Sequence, residues 1–211
     1  MKILELDEVE STHTYLRELI KSNGYTEPLA VISAHQTNGI GSRGNHWTGV
    51  KGNLFFSFVI QKSDLPIDLP LQSASIFFSY LLKVVLEEKK SKLWLKWPND
   101  FYITDKKIGG TITTVTNELI YCGIGLNLQE VSSEFGCLDI NIEKKEVLKL
   151  YFKKLTKCKS WKQIFSLYKI EFQKSKKFQS TIQNKKVSLT KAILNKDGSI
   201  DLDGKKVYSL R

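Results

Sequence analysis

Residues 39–61 read GIGSRGNHWTGVKGNLFFSFVIQ. The first six fit the glycine pattern of a dinucleotide-binding loop. That loop needs a strand before it and a helix N-terminus after it to hold a pyrophosphate. Residues 29–35 (LAVISAH) supply the strand, but the glycines are followed by Asn45-His46-Trp47-Thr48-Gly49 and then by NLFFSFVIQ, a run of strong β-formers. A strand–loop–strand unit offers no helix terminus, so the doubly wound nucleotide fold is rejected. The loop can still hold an anion, because backbone N–H groups converge where side chains are absent, and Arg43 adds a cation. Taken alone, a hairpin whose glycines only permit turns accounts for it equally well.

Toward the N-terminus, residues 2–6 alternate weakly as a short strand. Ser11 and Thr12 can cap a helix carrying Tyr15, Leu16, Leu19 and Ile20 on one face, ended by Asn23-Gly24. Toward the C-terminus, Pro66 and Pro70 bracket a turn, and residues 71–86 are apolar enough for a helix buried over much of its surface. Strands are expected at 93–97, stopped by Pro98, then at 101–104 and 108–116 around the turn Asp105-Lys106-Lys107, and at 119–128. Helical spacing returns at 143–157 and 161–174. From 185 to 210 short β-like pieces are separated by Lys196-Asp197-Gly198 and Asp203-Gly204, a strong hairpin signal. The expected fold class is α+β: a mixed sheet flanked by helices over residues 1–174, then a small β-barrel-like unit over 175–211.

The chain has 211 residues, 41% hydrophobic and 26% charged, as in ordinary globular domains. No stretch is long and apolar enough for a membrane span, and MKILELDEVE carries too many charges for a secretory leader, so the expected location is the cytoplasm. The formal charge of +10 favours anionic partners without naming one, and runs such as Lys144-Lys145 and Lys153-Lys154 read as solvated helix faces. Cys122, Cys137 and Cys158 are spaced for neither a disulfide framework nor a thiolate metal site, and His13, His35 and His46 are scattered.

Three further features carry chemistry. Lys96-Trp97-Pro98-Asn99-Asp100 stands at a strand end; Lys107-Ile108-Gly109-Gly110 sets a cation beside two residues that permit close approach; Gly123-Ile124-Gly125-Leu126-Asn127 puts glycines inside a strand, where they need a reason such as a ligand or a bulge. Together with Ser11-Thr12-His13, Gln36 and Gly39 to Trp47, they follow in an order that resembles the biotin protein ligase family over most of the chain.

The resemblance implies the biotin–lipoate ligase catalytic fold, related to class II synthetases. It also implies ATP and biotin as substrates with Mg2+ accompanying the nucleotide, and transfer of biotin to a lysine of a biotin carboxyl carrier domain of a carboxylase. In the catalytic role it places Lys107, Arg43 and Asp100. Around biotin it places Ser11, Thr12, His13, Gln36, Gly39, Ile40, Gly41, Ser42, Lys107, Gly109 and Gly110. Around ATP it places Arg43, Trp47, Lys96, Asn99, Asp100, Asn127 and Arg211. No side-chain metal ligand is assigned.

Two departures stand out. The family's loop arginines are Ile40 and Ser42 here, and its Asn after Ser-Thr is His13, which leaves open how tightly the acyl-adenylate is held. The start close to Ser11 leads us to expect the short form, without an N-terminal DNA-binding domain or repressor role. A homodimer is left open. Competing readings are a lipoate ligase or octanoyltransferase on the same fold, a basic nucleic-acid-binding protein, and a scaffold with decayed sites.

Overall fold

The computed structural model describes residues 1–42, 45–47, 49–158, 160–183 and 185–208. Strand β1 (Lys2–Val9) leads into helix α1 (Thr12–Asn23), capped by Ser11, whose Oγ accepts from the Thr14 N–H at 3.3 Å. Gly24 closes the helix at φ 76°. The chain continues through β2 (Leu29–Gln36), β3 (Gly39–Ile40), β4 (His46–Trp47), β5 (Leu54–Gln61) and helix α2 (Ala74–Glu88). It then forms β6 (Trp94–Lys96), β7 (Asp100–Ile103), β8 (Lys106–Val115) and β9 (Leu119–Leu126), followed by α3 (Lys144–Lys157) and α4 (Trp161–Ser175). The strands expected after residue 185 begin earlier. Strands β10 (Gln179–Ile182) and β11 (Lys185–Ser188) form one small sheet, and β12 (Ile193–Leu194), β13 (Ile200–Leu202) and β14 (Lys205–Val207) form another.

The main sheet has seven strands in the order β1-β2-β5-β9-β8-β7-β6. Only β1 and β2 run parallel, and α1 is the crossover that a parallel pair requires. Strand β5 shows why both faces are covered. Phe56, Phe58 and Ile60 point into the core beneath α2, α3 and α4, whereas Val59 packs under α1 with Leu16, Ile20, Val31 and Tyr121. Phe56, Phe58, Phe78, Tyr151 and Phe152 meet edge-to-face at 5.1–6.0 Å.

The same core runs on into the small sheets through Leu189, Ala192, Ile200 and Leu202. The turn at 195–199 is pinned to the sheet and helices: the indole of Trp97 donates to the Gly198 carbonyl at 3.0 Å, that of Trp161 to Lys196 at 2.9 Å, and Ser73 Oγ to Asp197. Among the described residues no helix is long and apolar enough to cross a membrane.

Two expectations change in detail. The region expected to be all glycine loop contains the β3–β4 hairpin, with Gly39 opposite Trp47 and Ile40 opposite His46. The helix expected from Leu71 opens with a 3-10 turn over Leu71–Ser73 and becomes α-helical at Ala74.

Candidate active site

The register of β5, β9 and β8 places Ser57, Gly123 and Ile112 side by side, and Phe55, Gly125 and Gly110 in the next row. Directly opposed residues share a face, so the two glycines of β9 open a trough on the α1 side of the sheet. A Cβ on Gly123 would lie 3.2 Å from His13 Nδ1, and one on Gly125 3.0 Å from the Trp47 ring. His13 therefore roofs one end of the trough and Trp47 the other. The resulting cavity of about 360 Å³ falls within the usual range for small-molecule sites.

At the His13 end the walls are hydroxyls and amides. Gln36 Oε1 accepts from the Thr12 N–H at 2.7 Å and from Thr12 Oγ1 at 2.9 Å, and Thr12 Oγ1 lies 2.8 Å from Ser57 Oγ. His13 Nε2 sits 3.0 Å from Thr114 Oγ1, and its Nδ1 is buried with no hydrogen-bond partner among the described residues. Burial, reinforced by the nearby Arg17 charge, lowers the His13 pKa to about 4. The ring is thus neutral at ordinary pH.

At the other end stand charges. Asp100, on β7, holds Lys107 of β8 at 2.6 Å and Lys96 of β6 at 3.6 Å. Lys107 Nζ also lies 5.9 Å from the centre of the Trp47 ring. Burial and the Asp100 charge raise the pKa of Tyr102, whose hydroxyl accepts from Lys96 Nζ at 3.3 Å. The Trp97–Pro98 bond is cis, and Asn99 Nδ2 donates to the Thr111 carbonyl. A second cavity of about 310 Å³ adjoins the first and shares Ser42, Asn45, Asn99, Asp100 and Lys107 with it.

Of the residues singled out in the sequence, Thr12, His13, Gln36, Ile40, Gly41, Ser42, Trp47, Asn99, Asp100, Lys107 and Gly110 line the first cavity, and Lys96 lines the second. Ser11 caps α1 and is 2% exposed. Gly39 makes room for the β3–β4 pairing, since a Cβ there would fall 2.7 Å from the Trp47 carbonyl. Gly109 faces the sheet interior, not the cavity. Asn127 is also turned away: Oδ1 accepts from Asn53 Nδ2 at 3.4 Å and Nδ2 donates to the Gly136 carbonyl at 3.2 Å. Its amide ties two loops together. Arg43 and Arg211 lie outside the described residues.

Sequence reading missed Ser57, Thr111, Ile112 and Phe135 in the first cavity and the β10–β11 hairpin in the second. Ser57 did carry a signal, as a lone polar residue inside an apolar strand.

The pattern of the Biotin/lipoate A/B protein ligase family matches residues 6–127. The chain belongs to that family. The family match includes every described residue that lines the first cavity except Phe135. A crystal structure of biotin acetyl coenzyme A carboxylase synthetase from Helicobacter pylori, with bound biotinylated ATP, superposes with a TM-score of 0.93. It is 39% identical and covers 98% of this chain and 99% of that one. The bifunctional ligase/repressor BirA of Bacillus spizizenii is 27% identical over 134 residues, 61% of this chain and 41% of its own length. The human biotin–protein ligase is 34% identical over 116 residues, 50% of this chain and 16% of its own. The chain thus spans well under half the length of these two curated relatives.

His13, an asparagine in the family pattern as we read it, makes a stability prediction. The unfolded chain takes up a proton near the ordinary histidine value of 6.5, whereas the folded chain refuses it until about 4. Between those values the unfolded state binds more protons, so stability is lost as the pH falls through this window. The contribution is on the order of 3 kcal/mol. Denaturant titrations from pH 7 to pH 4 should show a shallower acid loss for His13→Gln than for the wild type. Parallel curves would contradict the assignment.

Proposed function

We propose that this chain joins the carboxylate of biotin to AMP, using ATP, and passes the acyl group to a lysine on a biotin carboxyl carrier domain of a carboxylase. The observation that carries the reading is the pair of adjoining cavities with Lys107 and Asp100 in their common wall. The full-length likeness to the Helicobacter pylori structure supports it.

The hydroxyls of Thr12 and Ser57 and the Gln36 amide suit a neutral ureido ring, and the trough over Gly123 and Gly125 takes its apolar body. The acid's carboxylate then points at Lys107. Carboxylate and α-phosphate repel by roughly 4 kcal/mol per charge pair at about 4 Å and an effective dielectric near 20. Lys107 offsets that repulsion where charge builds up, and Asp100 holds the ammonium in place. A carboxylate oxygen bonds to the α-phosphorus, the bond from that phosphorus to the bridging oxygen breaks, and pyrophosphate leaves with the electron pair. In the second step the acceptor amine attacks the acyl carbon and AMP departs.

Asp100 is the one carboxylate among the described residues lining the two cavities. This donor set fits Mg2+, which commonly binds through one or two carboxylates and substrate phosphates. Held by Asp100 and the nucleotide, the ion would neutralise polyphosphate charge.

An octanoyltransferase would need a cysteine at the reacting carbon. Among the described lining residues there is none, and Cys122 is buried, its pKa pushed up by burial.

Calorimetric titration with biotin, lipoate and octanoate, followed by ATP and magnesium, tests the reading. Saturable biotin binding with pyrophosphate release is expected. Silence with biotin and a signal with lipoate would transfer the chain to the sister activity.

A further inference from the structure

The main sheet ends at β1, and the open side of that strand is framed by two hollows. In a parallel pair, successive residues turn their backbone groups to opposite sides. Lys2 gives its N–H to the Pro28 carbonyl at 3.1 Å, on the β2 side, so Ile3 and Glu5 turn theirs to the open edge. The side chains alternate as well. Met1, Ile3 and Glu5 line a hollow of about 430 Å³ against Leu148 and Phe152 of α3. Lys2 and Leu4 line another of about 330 Å³ against Leu19 and Ile20 of α1. Ile3, between them, is 42% exposed. Neither hollow shares a described residue with the two cavities of the candidate active site.

Free backbone groups between two apolar hollows suit an added strand: main-chain bonds hold it, and its alternate side chains drop to either face. An acyl chain would fill one hollow and leave the backbone groups unmet. Charge then selects the strand. Glu5 is engaged by Lys145 at 3.2 Å, whereas Lys149 and Lys153, on the rim of the α3 hollow, make no ion pair among the described residues. Asp7 and Glu8 follow further along β1, which confines an acidic partner to the first half of the strand. We propose that the outer edge of β1 docks an extended segment of a partner protein, apolar on both faces and carrying carboxylates on the α3 side that meet Lys149 and Lys153. This surface stands independently of the ligase reading.

The probe is a synthetic peptide, Glu-Leu-Val-Leu-Glu flanked by serines and labelled with fluorescein, titrated with the full chain and followed by anisotropy. Its valine and glutamates share one face and its leucines the other, whichever way it runs. Saturable one-to-one binding is expected. Methylating the backbone nitrogens of the three central residues should abolish it, because charge and side chains stay while the ladder bonds are lost. The double variant Lys149→Glu, Lys153→Glu should weaken binding by about 5- to 20-fold, the reversal of two exposed ion pairs, while its Tm stays within about 2 °C of the wild type. No saturable binding, equal binding of the methylated peptide, or an unchanged affinity in the double variant overturns the inference. So does sedimentation of the wild type as a dimer that the double variant dissolves, which would give this edge to a second copy of the chain.

Discussion

Replacing Lys107 by alanine should lower the rate of biotinyl-AMP formation by about 10²–10³-fold, the usual effect of removing one preorganised group from a developing charge. Lys107 is placed for this by the sheet itself. It sits near the start of β8, 2.6 Å from Asp100 and against the Trp47 ring, on the wall shared by the two cavities. A surface lysine would lose rotamer freedom on binding, whereas this one is already held between a carboxylate and an indole. Its charge acts mainly where negative charge builds up, so biotin affinity should fall by no more than about tenfold while the rate falls much further. Asp100→Asn should give an intermediate defect, because Lys107 and Lys96 both lose their anchor. Single-turnover release of pyrophosphate checks the rate and calorimetry the affinity. A Lys107→Ala enzyme within about threefold of the wild-type rate would remove this residue from the chemistry.

The adjacent glycines should fail in opposite ways. A Cβ on Gly109 would fall 2.5 Å from the Gly125 carbonyl and 2.9 Å from Phe101, so backbone and core must both shift. Overpacking of this kind costs about 1–3 kcal/mol, and Gly109→Ala should lower Tm by several degrees, on the order of 5 °C for a chain of this size. On Gly110 the nearest atoms to a Cβ are Asp100 Oδ1 at 3.4 Å and the Asn99 carbonyl at 3.5 Å, ordinary contacts. Gly110→Ala should keep its Tm within about 1 °C, since surface-like positions change little. Its methyl enters the ligand cavity, where biotin affinity should drop by about tenfold or more. Thermal unfolding and biotin titration of both variants suffice. Equal Tm losses, or unimpaired binding by Gly110→Ala, would contradict the division of roles.

That division also marks where sequence reading stopped. Lys107-Ile108-Gly109-Gly110 was legible as a site, and the alternation of Gly123 and Gly125 pointed to a ligand or a bulge. Which glycine serves the ligand depends on pairing: β8 and β7 shift register between Phe101 and Tyr102, and the β8–β9 register then puts Gly110, not Gly109, beside Gly125 on the cavity side. Register is a property of two strands, and no single stretch encodes it. Ser57 joined the site for the same reason, through its pairing with Gly123. Asn127 matched a motif, but its amide is already engaged by Asn53 and Gly136, loop partners that local sequence does not announce. The helices, by contrast, were readable from apolar spacing alone, because their faces are local: Val147, Leu148, Tyr151, Phe152 and Leu155 all lie buried on α3.

The central claim is that an acid's carboxylate meets the α-phosphate of ATP at Lys107. Biotin labelled with 18O in its carboxylate, turned over with ATP and a carrier domain, tests it directly. One labelled oxygen should appear in AMP and none in pyrophosphate. Unlabelled AMP, or label in a phosphate released from the far end of the nucleotide, would contradict the account.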